Sequence, residues 1–71
     1  MKKNKDLIAE NVKRLRFQKE YTQENVANDL GMSTHYFRRI EKGTANPTVN
    51  ILEKIAGEFG VYLRDLLNER K

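Results

Sequence analysis

A chain of 71 residues has room for one domain and one small core, and at this size only about 60% of the extended surface is buried on folding. It has no cysteine, which excludes a disulfide staple and a thiolate metal site and fits a reducing interior. No apolar run approaches roughly 18 residues, and Met1 to Lys5 is not followed by an apolar signal core, so a soluble cytoplasmic protein without membrane contact is expected.

Ile8, Val12 and Leu15 recur at i, i+4 and i+7, with Lys13, Arg14 and Lys19 outside the stripe, predicting a first helix over about Asp6 to Lys19. Thr22 can cap a second helix carrying Val26, Ala27 and Leu30 at helical intervals. Gly31 ends it, because glycine enters the left-handed region at a C′ position without a Cβ clash. The chain can then turn and restart at Ser33 or Thr34, running to about Lys42. In this third helix Phe37 and Ile40 define an inward face, while at roughly 100° per residue His35, Arg38 and Lys42 point outward, flanked by Thr34 and Arg39. Ala27 is small where the second and third helices cross closely.

Gly43 to Pro47 reads as a loop. A fourth helix, capped by Thr48, is expected to bury Val49, Leu52, Ile55, Ala56 and Phe59 before Gly60 stops it. A fifth, about Tyr62 to Asn68, offers Leu63, Leu66 and Leu67. There is no β pattern, repeat or low-complexity tract, and Lys2 to Lys5 and Glu69 to Lys71 are expected to fray. The predicted fold is all-α: a compact five-helix orthogonal bundle, one domain over 1–71 with its core at about 6–68.

The net charge of +4 is unevenly placed. Residues 1 to 43 carry ten Lys or Arg against six Asp or Glu, while residues 44 to 71 carry four against four. A one-sided basic surface is the footprint of a protein that neutralises backbone phosphates and releases their counterions. A solvated basic face is the competing reading of charge alone, and its coincidence with the two-helix pattern favours the first.

Gln23, Ala27, Gly31, Phe37 and Ile40 fall at the first, fifth, ninth, fifteenth and eighteenth places of the helix-turn-helix pattern. Tyr21-Thr22-Gln23-Glu24 is similar to an LTQEE signature and Arg39 to Gly43 to an R-I-E-x-G signature; Asn46-Pro47-Thr48 and Phe59-Gly60-Val61 match two later landmarks. On these residues the chain resembles the Cro/C1-type (XRE-like) DNA-binding family over about Leu7 to Leu67, and four ordered landmarks are far more specific than one turn glycine. The resemblance implies the lambda-repressor-like fold, double-stranded DNA as partner, and a third helix acting as the recognition helix, its N-terminal end in the major groove.

Arg38 and Arg39 are candidates to read bases, since a guanidinium can donate two parallel hydrogen bonds to guanine O6 and N7. The resemblance favours Arg39; Arg38 serves equally well as a phosphate clamp. Thr34 and His35, at the end that the resemblance points into the groove, are the other base-facing candidates, although Thr34 can simply cap the helix. His35 is the sole histidine, and a metal site or catalytic dyad needs further ligands or a nucleophile that no spacing supplies. Gln23 opens the second helix, where its amide and free backbone N–H groups can hold a phosphate oxygen, a use the family commonly makes of it. Lys42, Thr44 and Asn46 surround the following loop and are further phosphate candidates, as is the Tyr36 hydroxyl if its ring does more than pack. Arg16 and Glu41 match a family ion pair that orients the recognition helix.

Two residues depart from the family pattern. Glu20 stands where a glycine is usual, at a cost on the order of 1 kcal/mol if the position is left-handed. Tyr62 replaces a Ser/Thr cap, so Tyr62, Leu63 and Leu66 are read as a dimer interface; covering the local core is the plainer use of Tyr62. The function expected is a sequence-specific transcriptional regulator, a repressor acting as a homodimer on a palindromic operator, with no cofactor or small-molecule ligand and no enzyme activity. The alternatives are an antitoxin-like interaction module and an RNA-binding protein; the second lacks the aromatic stacking platforms that single-stranded RNA favours.

Overall fold

The computed structural model describes residues 2–69; the fraying expected of Arg70 and Lys71 lies outside them. Five helices follow in order: α1 Asn4–Gln18, α2 Gln23–Leu30, α3 Thr34–Lys42, α4 Val49–Phe59 and α5 Leu63–Leu67. Among the described residues there is no strand, and no helix is long and apolar enough to cross a membrane. α1 begins two residues earlier than its apolar stripe predicts, so Asn4 and Lys5 are helical rather than frayed.

The helix starts are set by side-chain oxygens. Thr22, Ser33 and Thr48 each accept a hydrogen bond from the backbone N–H three residues on, at 3.0, 3.1 and 3.2 Å, satisfying donors that a helix start leaves open. α5 lacks such an oxygen at Tyr62. Instead the Asp65 carboxylate reaches back to accept from the Tyr62 N–H at 2.8 Å, the other half of a capping box.

The helix ends of α1 to α4 share one geometry. At each, a residue with positive φ follows the helix, and the next N–H returns five residues to a carbonyl: Tyr21 to Arg16, Met32 to Ala27, Thr44 to Arg39 and Val61 to Ala56, at 2.9 to 3.1 Å. Gly31, Gly43 and Gly60 occupy three of these positions, and Glu20, at φ 59°, the fourth. The helix therefore stops where a family glycine would stop it, with a side chain held in a region that L-residues avoid.

Val12, Val26, Ala27, Phe37, Ile40, Ile55, Phe59 and Leu66 form the centre of the core, each 2% exposed or less. α1 packs on α3 and α5, α2 on α3 and α4, and α4 on α5; Tyr21 adds a stacked ring to Phe59, centroids 6.4 Å apart. One apolar residue departs from expectation. Val49 is 60% exposed, because it is the first residue of α4 and the inward stripe begins only at Leu52.

The core also holds polar residues. Asn11, 3% exposed, donates to the carbonyls of Leu66 and Asn68, both at 2.8 Å, and so fastens α5 to α1. A helix of five residues is far below the length that is stable alone, and such contacts hold it in place.

Candidate nucleic-acid interface

α3 owes its orientation to a buried charge pair. Arg16 on α1 is 7% exposed and Glu41 on α3 5%; Nε and Nη2 of the arginine donate to Oε2 and Oε1 of the carboxylate at 2.6 and 3.0 Å. Arg16 Nη1 also donates to the Tyr21 carbonyl at 2.9 Å, and its guanidinium lies 4.6 Å from the centre of the exposed Phe17 ring. A bidentate pair fixes direction as well as distance, and buried with its hydrogen bonds satisfied it locks the rotation of α3 about its axis.

Phe37, Ile40 and Glu41 face inward, so the helical repeat turns His35, Arg38, Arg39 and Lys42 outward, and all four are exposed. Thr34, in the first turn, is partly buried. Glu41 is the only acidic residue of α3 and it is buried, leaving an outer face of cations and one imidazole. Arg38 and Lys42 at i, i+4 and Arg39 and Lys42 at i, i+3 repel by a few tenths of a kcal/mol each in an isolated helix. Such a face lowers its energy by meeting a polyanion. Beside it, a cleft of about 410 Å³ between α1 and α3, lined by Lys2, Asp6, Glu10, Lys13, Glu41 and Lys42 among others, has both Lys13 and Lys42 in its wall. Lys13 reads in the sequence only as the outside of a stripe; no local pattern announces that α1 and α3 share this edge.

The expected phosphate contacts divide. Lys42 and Asn46 are exposed around the loop, and Tyr36 is partly buried against the core with an edge in solvent. Gln23, opening α2, has most of its amide engaged: Nε2 donates to Glu41 Oε1 at 2.9 Å, and Oε1 accepts from Arg38 Nε at 3.1 Å. Thr44 is bonded to the end of its own helix. Its N–H and its hydroxyl both donate to the Arg39 carbonyl, at 3.0 and 3.3 Å, and its own carbonyl accepts from Arg39 Nη2 at 2.7 Å. With these bonds Thr44 closes the end of α3, its side chain still exposed.

On α5 and its start, Tyr62 is 68% exposed, with the Arg64 guanidinium 4.5 Å above its ring, and Leu67 is 36% exposed. With Leu63, Arg64 and Glu53 they line a shallow, mainly apolar cleft of about 470 Å³. Leu66 is not part of it. Fully buried, it faces the core of its own protomer and has no surface to offer a partner; the exposed leucine of α5 is Leu67.

A family model described as helix-turn-helix matches residues 12–66. The chain is 30% identical over 63 residues to the cryptic phage CTXphi transcriptional repressor RstR of Vibrio cholerae, covering 89% of this chain and 57% of that one, so it spans little more than half of that relative. It is 33% identical over 63 residues to the control protein C.BamHI of Bacillus amyloliquefaciens, covering 87% of this chain and 78% of that protein. The crystal structure of a hypothetical transcription factor, NHTF, from Neisseria superposes with a TM-score of 0.88 at 27% identity, over 93% of this chain and 76% of the other. With the match over residues 12–66 and the capped two-helix unit seen in the fold, this chain belongs to the Cro/C1-type helix-turn-helix DNA-binding family.

Proposed function

We propose that the protein is a sequence-specific, double-stranded DNA-binding transcriptional regulator, a repressor that acts as a homodimer on a palindromic operator. The observation that carries this reading is the outer face of α3, with Arg38, Arg39 and Lys42 exposed and no exposed carboxylate, oriented by the buried Arg16–Glu41 pair. α3 enters the major groove with Thr34, His35, Arg38 and Arg39 toward the duplex, while Gln23, Tyr36, Lys42 and Asn46 meet the flanking backbone. Gln23 retains one Nε2 hydrogen and the open backbone N–H groups of the α2 start for that purpose. The names of RstR, a transcriptional repressor, and of C.BamHI, a control protein, support regulation.

Pairing through Tyr62, Leu63 and Leu67 is supported by the exposed apolar cleft and by the charges at its rim. Glu53 and Arg64 line the same patch, and a two-fold interface that sets one against the other forms that ion pair twice. Two-fold symmetry then sets half-sites about 34 Å apart, one turn of the duplex. Selecting bound duplexes from a random pool tests both parts: the expected product is a palindrome whose affinity falls steeply with salt. The exposed α5 patch also favours a second reading, a module whose chief partner is another protein. Duplex binding that ignores salt, or none at all, would select that reading instead.

A further inference from the structure

The adjacent arginines of α3 are held in different ways. Arg39 is tied back to the end of its own helix through Thr44. Arg38 reaches across the turn to α2, donating Nε to Gln23 Oε1 at 3.1 Å. The Gln23 amide has no choice in which end it offers. The buried Glu41 carboxylate accepts and cannot donate, so it takes the Nε2 hydrogen, at 2.9 Å, and turns Oε1 outward. Glu41 in turn is fixed by Arg16. Donors and acceptors thus alternate from Arg16 in the core to Arg38 in solvent, each member dictating the orientation of the next. With Nε committed, Arg38 keeps Nη1 and Nη2 beside the opening of α2, where backbone N–H groups lack intrahelical partners.

We propose that Arg38 is a backbone-phosphate clamp positioned by Gln23 and Glu41. This rests on the DNA-binding reading above. A phosphate oxygen at the α2–α3 seam would take charge-assisted hydrogen bonds from Arg38 together with the remaining Gln23 Nε2 hydrogen. Gln23 is then a positioning residue as well as a contact.

The test is a double-mutant cycle on DNA affinity, read on the selected duplex and on a random duplex over a range of salt, with a thermal melt of each variant to confirm folding. Arg38→Ala is expected to weaken both duplexes by the same factor and to flatten the slope of log affinity against log salt by about 0.9. Gln23→Met, neutral and of similar length, is expected to flatten the slope as well, because Arg38 is no longer held in place. Loss of a direct glutamine contact alone would weaken binding with the slope intact. In the double variant the combined loss should fall short of the product of the single losses by about three-fold or more. Multiplicative losses, or a single relaxed base position in Arg38→Ala with an unchanged slope, overturn the assignment and leave DNA binding standing. Failure of the unaltered protein to bind any duplex overturns both.

Discussion

Replacing Glu20 by glycine should stabilise the protein. Glu20 holds φ 59° at the end of α1, in the same hydrogen-bonded turn that glycines make after α2, α3 and α4. A left-handed L-residue costs about 1 to 2 kcal/mol, and a carboxylate at a helix C-terminus adds about 0.3 kcal/mol through the macrodipole. Against this, glycine gives up about 0.5 to 1 kcal/mol of unfolded-chain entropy. The net gain is about 1 kcal/mol, which for a domain of this size is roughly 4 to 8 °C in Tm. Thermal unfolding followed by circular dichroism reads this directly. Gly31→Ala is the matched control: a Cβ there meets nothing within 4 Å, so any loss reports the backbone alone, and it should lower Tm. A Glu20→Gly protein that melts at or below the parent temperature would refute the claim that this turn stores strain.

Arg39→Ala should cost about 1 to 3 kcal/mol on the selected duplex and relax preference at one base position, as read by competition with single-base variants; equal weakening on every duplex would reassign it to phosphate. Tyr62→Glu should leave the protomer folded and halve the sedimenting mass, whereas Leu66→Asp should unfold the protomer, because a carboxylate would replace a fully buried side chain; a folded Leu66→Asp monomer would contradict this division. The Glu58 carboxyl is held above its ordinary value, first by its hydrogen bond with Asp29, then by burial and by the Asp29 charge. The folded state therefore binds more protons than the unfolded one, and this contribution to stability falls as pH rises above the ordinary carboxylate range. Glu58→Gln should remove that fall and raise stability at neutral pH by less than about 1 kcal/mol, given solvent screening; a pH–stability profile parallel to the parent's would count against the shared proton.

The elements of this fold lie on the surface of its sequence because their signals are local. Thr22, Ser33 and Thr48 act within three residues, Gly31, Gly43 and Gly60 within five, and the landmarks from Gln23 to Val61 add the order. The outward face of α3 follows from Phe37 and Ile40 by helical geometry alone. What could not be read is set by partners far along the chain. Asn11 looks like an ordinary polar residue of α1 until Leu66 and Asn68 arrive from the far end of the chain. Gln23 looks like a side chain free to turn either way until Glu41 and Arg38 fix which end of its amide faces out. Leu66 and Leu67 are adjacent and chemically identical, and only the packing of α5 on α1 and α4 decides which is core. Val49 is exposed for a related reason: an apolar residue at a helix start satisfies the pattern without reaching the core.

α1 makes two long-range polar attachments to the rest of the bundle. Asn11 grips α5 and, five residues on, Arg16 grips α3, a separation of about 7.5 Å along a straight helix axis. For a pair of subunits joined through α5, the joint and the reading head are therefore bolted to the same short stretch of one rod. Little more than one helical turn can flex between them, so errors in the distance between two reading heads must come from the joint itself. Tolerance for operators of altered spacing would then be tuned by substitutions at Tyr62 and Leu67, with the DNA-facing side chains left untouched.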